Sequence, residues 1–221
     1  MRIVAGRFKG ATLVAPKGHL TRPTSDRVRE SLFNILLQGK LDFEIEEVRV
    51  LDLFAGSGAL GLEALSRGAR SCLFIEQSAE ARGVIRRNIE ALGLTGVTKI
   101  WRRDASELGP LRKVAPFDLV FADPPYGKGL GARALTTALA GGWLVNDAIC
   151  ILEERSGIDL DLPDDFHPLE TRTYGDTQIS ILECFRKSGT RFSDQKHGKN
   201  KELGSDFESI KIEKTLRVKV T

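Results

Sequence analysis

The sequence predicts an α/β fold: a mostly parallel sheet, closed at its carboxyl end by an antiparallel hairpin. Three observations predict it. From Val48 onward, short apolar runs alternate with stretches of helical periodicity, and such a βαβ array requires parallel strands with helices on both faces. The first apolar run passes directly into a glycine-rich loop, residues 55–61, that opens a helical pattern. Two last runs, 169–174 and 178–186, flank Gly175-Asp176 and read as a hairpin.

Taken in order, residues 2–5 and 12–15 read as the strands of an amino-terminal hairpin, turning through residues 6–10 with Arg7, Phe8 and Lys9 at its tip. Pro16, Gly18 and Pro23 mark a loop over 16–24. Thr24 or Ser25 caps a helix predicted from Asp26 to Gln38, with Val28, Leu32, Phe33, Ile35 and Leu36 as its apolar stripe. Strands are predicted at 48–54, 71–76, 97–102, 117–122 and 148–154, and helices near 58–67, 78–92, 105–113 and 129–140. Three regions follow: a basic hairpin and helix over 1–40, the α/β domain over 41–187, and a tail over 188–221. The tail is polar and charged as far as Ser205 and is expected to be disordered.

With 221 residues, 41% of them hydrophobic, the chain can bury a sizeable core as one decorated α/β domain. No apolar stretch approaches the ~20 residues of a membrane span. The amino terminus has no signal-peptide pattern, so a cytoplasmic protein is expected. Cys72, Cys150 and Cys184 sit in strand-like runs without metal spacing, and His19, His167 and His197 show no partner pattern. Buried reduced thiols and no metal site are expected.

The net charge of +3 is unevenly spread. Residues 1–31 carry seven basic and two acidic side chains, whereas residues 32–187 carry 18 basic and 23 acidic ones. A basic arm on a mildly acidic domain reads as a phosphate-binding device, and arginine suits bidentate phosphate contact. The expected nucleic-acid contacts are Arg7, Lys9, Arg22, Thr24, Arg27 and Arg29, with the hairpin tip and helix amino end forming one positive surface beside the base pocket.

The loop Ala55-Gly56-Ser57-Gly58-Ala59-Leu60-Gly61 fits G-x-G-x-x-G: a tight turn, close backbone approach to a ligand, and a helix amino terminus aimed at it. Glu76 ends the next strand, twenty residues after Gly56, where a carboxylate can accept hydrogen bonds from two ribose hydroxyls. This much fits NAD as well as any other adenosine cofactor. Three features favour S-adenosylmethionine. Asp52 precedes the loop, where it can face a cation and would repel a pyrophosphate, although it reads equally as a structural acceptor for loop N–H groups. Asp104, with Ala105 after it, follows the third strand, placed to hold an adenine amine. The fourth strand ends in a cluster that hydride transfer does not need. The expected cofactor set is Asp52, Gly56, Ser57, Gly58, Glu76, Asp104 and Ala105.

That cluster is Asp123-Pro124-Pro125-Tyr126, after the apolar run 117–122. Two prolines cannot continue a central strand, so the chain turns out at the carboxyl edge, where open α/β sheets bind ligands. The exocyclic amine of a purine is a poor nucleophile because its lone pair is delocalised into the ring. The Asp123 carboxylate and the Pro124 carbonyl are the expected acceptors for its two N–H groups, localising that lone pair. Tyr126 is expected to stack on the base, worth roughly 1–3 kcal/mol, once the base has left its own stack.

Asp52-Leu53-Phe54-Ala55-Gly56-Ser57-Gly58 and Asp123-Pro124-Pro125-Tyr126 resemble motifs of those S-adenosylmethionine-dependent enzymes of the Rossmann-like methyltransferase fold that act on exocyclic amines. The segments 1–10 (Met-Arg-Ile-Val-Ala-Gly-Arg-Phe-Lys-Gly), Arg22-Pro23-Thr24 and 27–34 (Arg-Val-Arg-Glu-Ser-Leu-Phe-Asn) are similar to the RsmD family, a resemblance that covers roughly residues 1–187. It implies an S-adenosylmethionine-dependent enzyme that methylates the N2 of one guanine in bacterial small-subunit ribosomal RNA. The partner is then ribosomal RNA, naked or within a partly assembled small subunit, met by a monomer without a membrane. Competing readings are an adenine-N6 methyltransferase on DNA or RNA, a protein-glutamine methyltransferase, and a catalytically idle RNA-binding assembly factor.

Overall fold

The computed structural model describes residues 1–16, 26–39, 41 and 43–185. The expected disorder of 188–221, and Arg22 and Thr24, lie outside them. Seven strands form one sheet: β1 (Arg49–Leu53), β2 (Ser71–Ile75), β3 (Thr98–Trp101), β4 (Phe117–Ala122), β5 (Leu144–Arg155), β6 (Phe166–Tyr174) and β7 (Thr177–Cys184). Their order is β3-β2-β1-β4-β5-β7-β6. Pairing is parallel from β3 to β5 and antiparallel at β5–β7 and β7–β6. The helices are α1 (Asp26–Gln38), α2 (Ala59–Ser66), α3 (Ala79–Ala91) and α4 (Leu130–Ala140).

Strand side chains alternate between two cores. One takes Val50, Cys72, Phe74, Leu119, Phe121, Ile149 and Ile151, together with Leu32, Phe33 and Leu36 of α1, Leu62 of α2 and Ile85 of α3. The other takes Leu51, Leu73, Val120, Cys150 and Leu152, with Ala134 and Leu135 of α4 and Trp143. The parallel strands are therefore apolar on both faces, as a doubly covered sheet requires. The three cysteines are buried, as their apolar runs predict.

Three local expectations need correction. The helix expected at 105–113 is one 3-10 turn, Ala105–Glu107. Gly109 has φ 62 and stands before Pro110, which ends helical propagation. β5 begins at Leu144 instead of 148, because an irregularity shifts its register against β4 and Asp147 takes φ 64. The amino-terminal hairpin is a single bridge, Arg2–Thr12, with hydrogen bonds such as Ile3 N–H to the Ala11 carbonyl at 2.9 Å.

The arm gains its order from the domain instead. Ile3 and Leu13 are buried in the first core. Glu63 of α2 is fully buried and accepts from the N–H groups of Val4 (2.8 Å) and Ala5 (3.0 Å). Asn88 of α3 clasps Val14, accepting from its N–H at 2.8 Å and donating to its carbonyl, and also donates to the Ser57 carbonyl at 3.0 Å.

Candidate active site

In the sheet order, β1 leads to β2 on one side while β4 lies on the other, so the crevice between β1 and β4 is the topological switch point. Leu53 and Ala122 are register partners there. The glycine loop follows the first and Asp123 follows the second, so the two sequence motifs leave the sheet side by side.

The loop is tightly wound. Phe54 (φ 57), Gly56 (φ 55) and Gly58 (φ 77) all occupy the left-handed region, which a phenylalanine adopts only under constraint. A Cβ on Gly61 would lie 2.5 Å from Cys72 Sγ and 2.6 Å from the Phe74 ring, so the third glycine brings α2 close against β2. Ser57 Oγ donates to Met1 Sδ at 3.6 Å.

Asp52 is 2% exposed, and its Oδ2 accepts from the Gly61 N–H at 3.0 Å. Burial pushes its carboxyl up to about 8, opposed by the Gly61 hydrogen bond and reinforced by nearby Glu76. The side chain thus turns beneath α2 and holds the first turn of that helix, the structural-acceptor role that the sequence left open beside contact with a cation.

Glu76 is half-buried at the end of β2. One carboxylate oxygen accepts from the Gly56 N–H at 2.9 Å and the other from the Ser78 N–H at 2.8 Å. A carboxylate has about four lone-pair sites, so Glu76 has acceptor capacity beyond these two bonds for a pair of ribose hydroxyls. Asp104 accepts from Ser106 N–H (2.8 Å) and Ser106 Oγ (2.7 Å). These bonds, with a lesser one from Gln77, hold its carboxyl below the usual range despite partial burial. Ala105, 3% exposed, lines the second core directly after it.

In the fourth-strand cluster, Asp123 is half-buried, Pro124 buried and Pro125 exposed. Asp123 continues the alternation of Leu119 and Phe121 and so lies on the α1 side of the sheet, where Phe121 meets Phe33 with ring centroids 5.7 Å apart. The Tyr126 hydroxyl donates to a Glu153 carboxylate oxygen and lies 3.0 Å from Thr177 Oγ1. Burial first, then the Glu153 bond, pushes its ionisation well above the ordinary phenol range. Glu154 accepts from the Gly127 N–H at 2.9 Å. The sequence analysis omitted both acids, though their signal is the one that identified Glu76: carboxylates closing an apolar strand at the carboxyl edge.

The basic set divides. Arg29 is corrected outright: it is fully buried, donates to the Arg2 carbonyl and to Asp26 Oδ1 (2.9 Å), and lies 3.6 Å from Glu63. It fastens the arm to the domain and offers nothing to a phosphate. Arg27 is exposed and lines a shallow groove along α1 with Glu30, Ser31 and Asn34. Arg7 and Lys9 are exposed, but the Arg7 N–H donates to the carbonyl of Ser66, the last residue of α2, at 2.7 Å. The tip therefore sits about 12 Å down α2 from the glycine loop, at 1.5 Å per residue. Arg22 and Thr24, the remaining members of the expected basic surface, lie outside the described residues.

Residues 1–183 match the family described as Conserved hypothetical protein 95. The chain is 37% identical over 153 residues to ribosomal RNA small subunit methyltransferase D of Escherichia coli, covering 69% of this chain and 74% of that protein. Its Haemophilus influenzae counterpart is 32% identical over 177 residues, covering 79% and 89%. The solved structure of the Escherichia coli protein yhhF superposes with a TM-score of 0.71 at 30% identity, over 85% of this chain and 99% of that one. With the glycine loop and the Asp-Pro-Pro-Tyr cluster adjoining at the switch point of a Rossmann-like sheet, the chain belongs to this family of methyltransferases, the RsmD family.

Proposed function

We propose that this protein transfers a methyl group from S-adenosylmethionine to the exocyclic N2 of a guanine in small-subunit ribosomal RNA. The observation that carries the reading is the Leu53–Ala122 register, which sets the glycine loop beside the Asp-Pro-Pro-Tyr cluster. Relatives named as ribosomal RNA small subunit methyltransferases support the substrate.

When bound, S-adenosylmethionine supplies a methyl group made electrophilic by its sulfonium. Gly56 and Gly58 let the backbone approach the cofactor, Glu76 accepts from the ribose hydroxyls, and Asp104 with Ala105 borders the adenine. Asp52 acts from beneath by holding α2 and the loop. Tyr126 stacks on the guanine. Asp123 and the Pro124 carbonyl accept from the amine N–H groups, turning its lone pair toward the methyl group. The advantage comes from positioning and from acceptors matched to the charge that develops on the nitrogen. Arg7, Lys9, Arg22, Thr24 and Arg27 contact the RNA backbone.

Mass spectrometry of nucleosides from small-subunit ribosomal RNA, with and without the protein, tests this reading. N2-methylguanosine is expected to appear only with it. N6-methyladenosine in its place, or no new nucleoside, would overturn the assignment.

Two further outcomes are expected. Glu76→Ala should weaken S-adenosylhomocysteine binding by about 1.5–3 kcal/mol, the scale of hydrogen bonds to a charged group. Isothermal titration measures it, and unchanged affinity removes Glu76 from the site. Arg7→Ala with Arg27→Ala should weaken binding of a long ribosomal RNA and shallow its log affinity–log salt slope by about 0.7–0.9 per lost phosphate contact. A short hairpin carrying the target should lose only the Arg27 share, because the tip lies far along α2. Equal slopes for variant and wild type on the long RNA would make both side chains bystanders.

A further inference from the structure

Tyr126 follows the end of β4, yet its hydroxyl is anchored on the next two strands of the sheet, β5 and β7. Glu153 lies on β5, one step beyond Leu152, the register partner of Ala122. Thr177 begins β7 opposite Arg155, and Glu153 faces Ile179 across the same ladder. Directly paired residues, and residues two apart on a strand, point to one face, so Glu153 and Thr177 stand together on the face Asp123 shares. The hydroxyl donates to the first and meets the second at 3.0 Å. Glu153 is only 6% exposed, so this carboxylate was desolvated to receive the bond. Glu154, 3% exposed, fastens the next peptide through Gly127 N–H.

An aromatic ring on a loop otherwise samples several rotamers, and a stacking partner must then pay for ordering it. We infer that Glu153, assisted by Thr177, is a positioning residue: by holding the Tyr126 hydroxyl it fixes the plane of the ring on which the target base stacks. The inference rests on the methyltransferase reading. Its ingredients are a buried acid on β5, a hydroxyl on β7 and an aromatic ring beyond the end of β4, joined at the carboxyl edge.

The role predicts a pattern that a purely structural acid would not produce. With RNA and S-adenosylmethionine, Glu153→Ala should raise KM for RNA and lower kcat/KM about tenfold, as for a lost hydrogen bond to a charged group. S-adenosylhomocysteine affinity should be unchanged. Glu153→Gln, whose amide oxygen still accepts from the hydroxyl, should restore most of kcat/KM. Tyr126→Phe should match Glu153→Ala, and the double variant should be no worse than either alone. Multiplying losses in the double variant, or a Glu153→Ala enzyme with wild-type kcat/KM, would overturn the inference. Should Glu153→Ala not fold, Thr177→Val replaces it in the same cycle with Tyr126→Phe, and additivity there overturns the inference equally.

A readout independent of activity separates this inference from the function it rests on. The chain has two tyrosines, Tyr126 and Tyr174. In a Tyr174→Phe background, phenolate absorbance at alkaline pH reports Tyr126 alone. Removing Glu153 should bring its ionisation down toward the ordinary tyrosine range, and no change would overturn the tether. A normal tether in a protein that methylates no guanine would instead sink the substrate assignment.

Discussion

Replacing Asp123 with alanine is expected to slow single-turnover methylation of RNA roughly 10²–10³-fold, the cost of one transition-state acceptor or donor. The side chain follows β4 on the α1 face, beside the glycine loop. It is the carboxylate of the cluster, and its negative charge suits an amine that becomes positive as the methyl arrives. The ground-state amine is neutral and gains less from that charge, so kcat should fall more than RNA affinity. Cofactor affinity should hardly change, since Glu76 and Asp104 belong to other strand ends. A variant turning over near the wild-type rate would remove Asp123 from the chemistry.

The second large effect concerns stability. Glu63→Ala should cost about 3–5 kcal/mol, the scale for removing one partner of a buried ion pair. Glu63 is fully buried on α2; it accepts from Arg67 Nε at 2.8 Å, lies 3.6 Å from Arg29, and receives two arm N–H groups. Its loss leaves the buried Arg29 guanidinium without its neighbouring charge on α2 and strips two backbone donors of their acceptor. Arg67→Ala removes a partner nearer the surface and should cost less. Denaturant unfolding of both variants measures the difference. A Glu63→Ala protein within about 1 kcal/mol of wild type would mean that solvent reaches the cluster.

What the sequence disclosed, and what it hid, divides along the reach of the interactions. Helix α1 spans Asp26–Gln38, the bounds its stripe predicts, because its apolar period and its breakers are local. The parallel order and the meeting of the two motifs follow from βαβ chirality, which is also general. Asp118, at the start of β4, ties that strand to its neighbour: its carboxylate accepts from Arg49 N–H across the β1–β4 pair at 2.8 Å. Arg29 was misread because a basic residue in a basic arm looks like any other; the acid that buries it, Glu63, is 34 positions away in an apolar helix. Asp52 read equally as a ligand contact and as an acceptor for loop N–H groups, since Gly61 receives it only after α2 folds back on β1. Over 105–113 the cause is local: Gly109-Pro110 is a breaker that cuts the helical pattern to one turn.

The arm's dependence on Glu63, Ser66 and Asn88 has a consequence for how the chain is made. These contacts join residues 58 to 74 positions apart. The ribosome releases the arm before α2 and α3, yet the surfaces that order it are complete only after α3 has left the exit tunnel. Until then Ile3 and Leu13 have nowhere to hide, and closing so long a loop carries an entropic cost that slows folding. Made before α2 and α3, the arm is thus among the last segments to settle, and a nascent chain halted before Asn88 would carry it undocked.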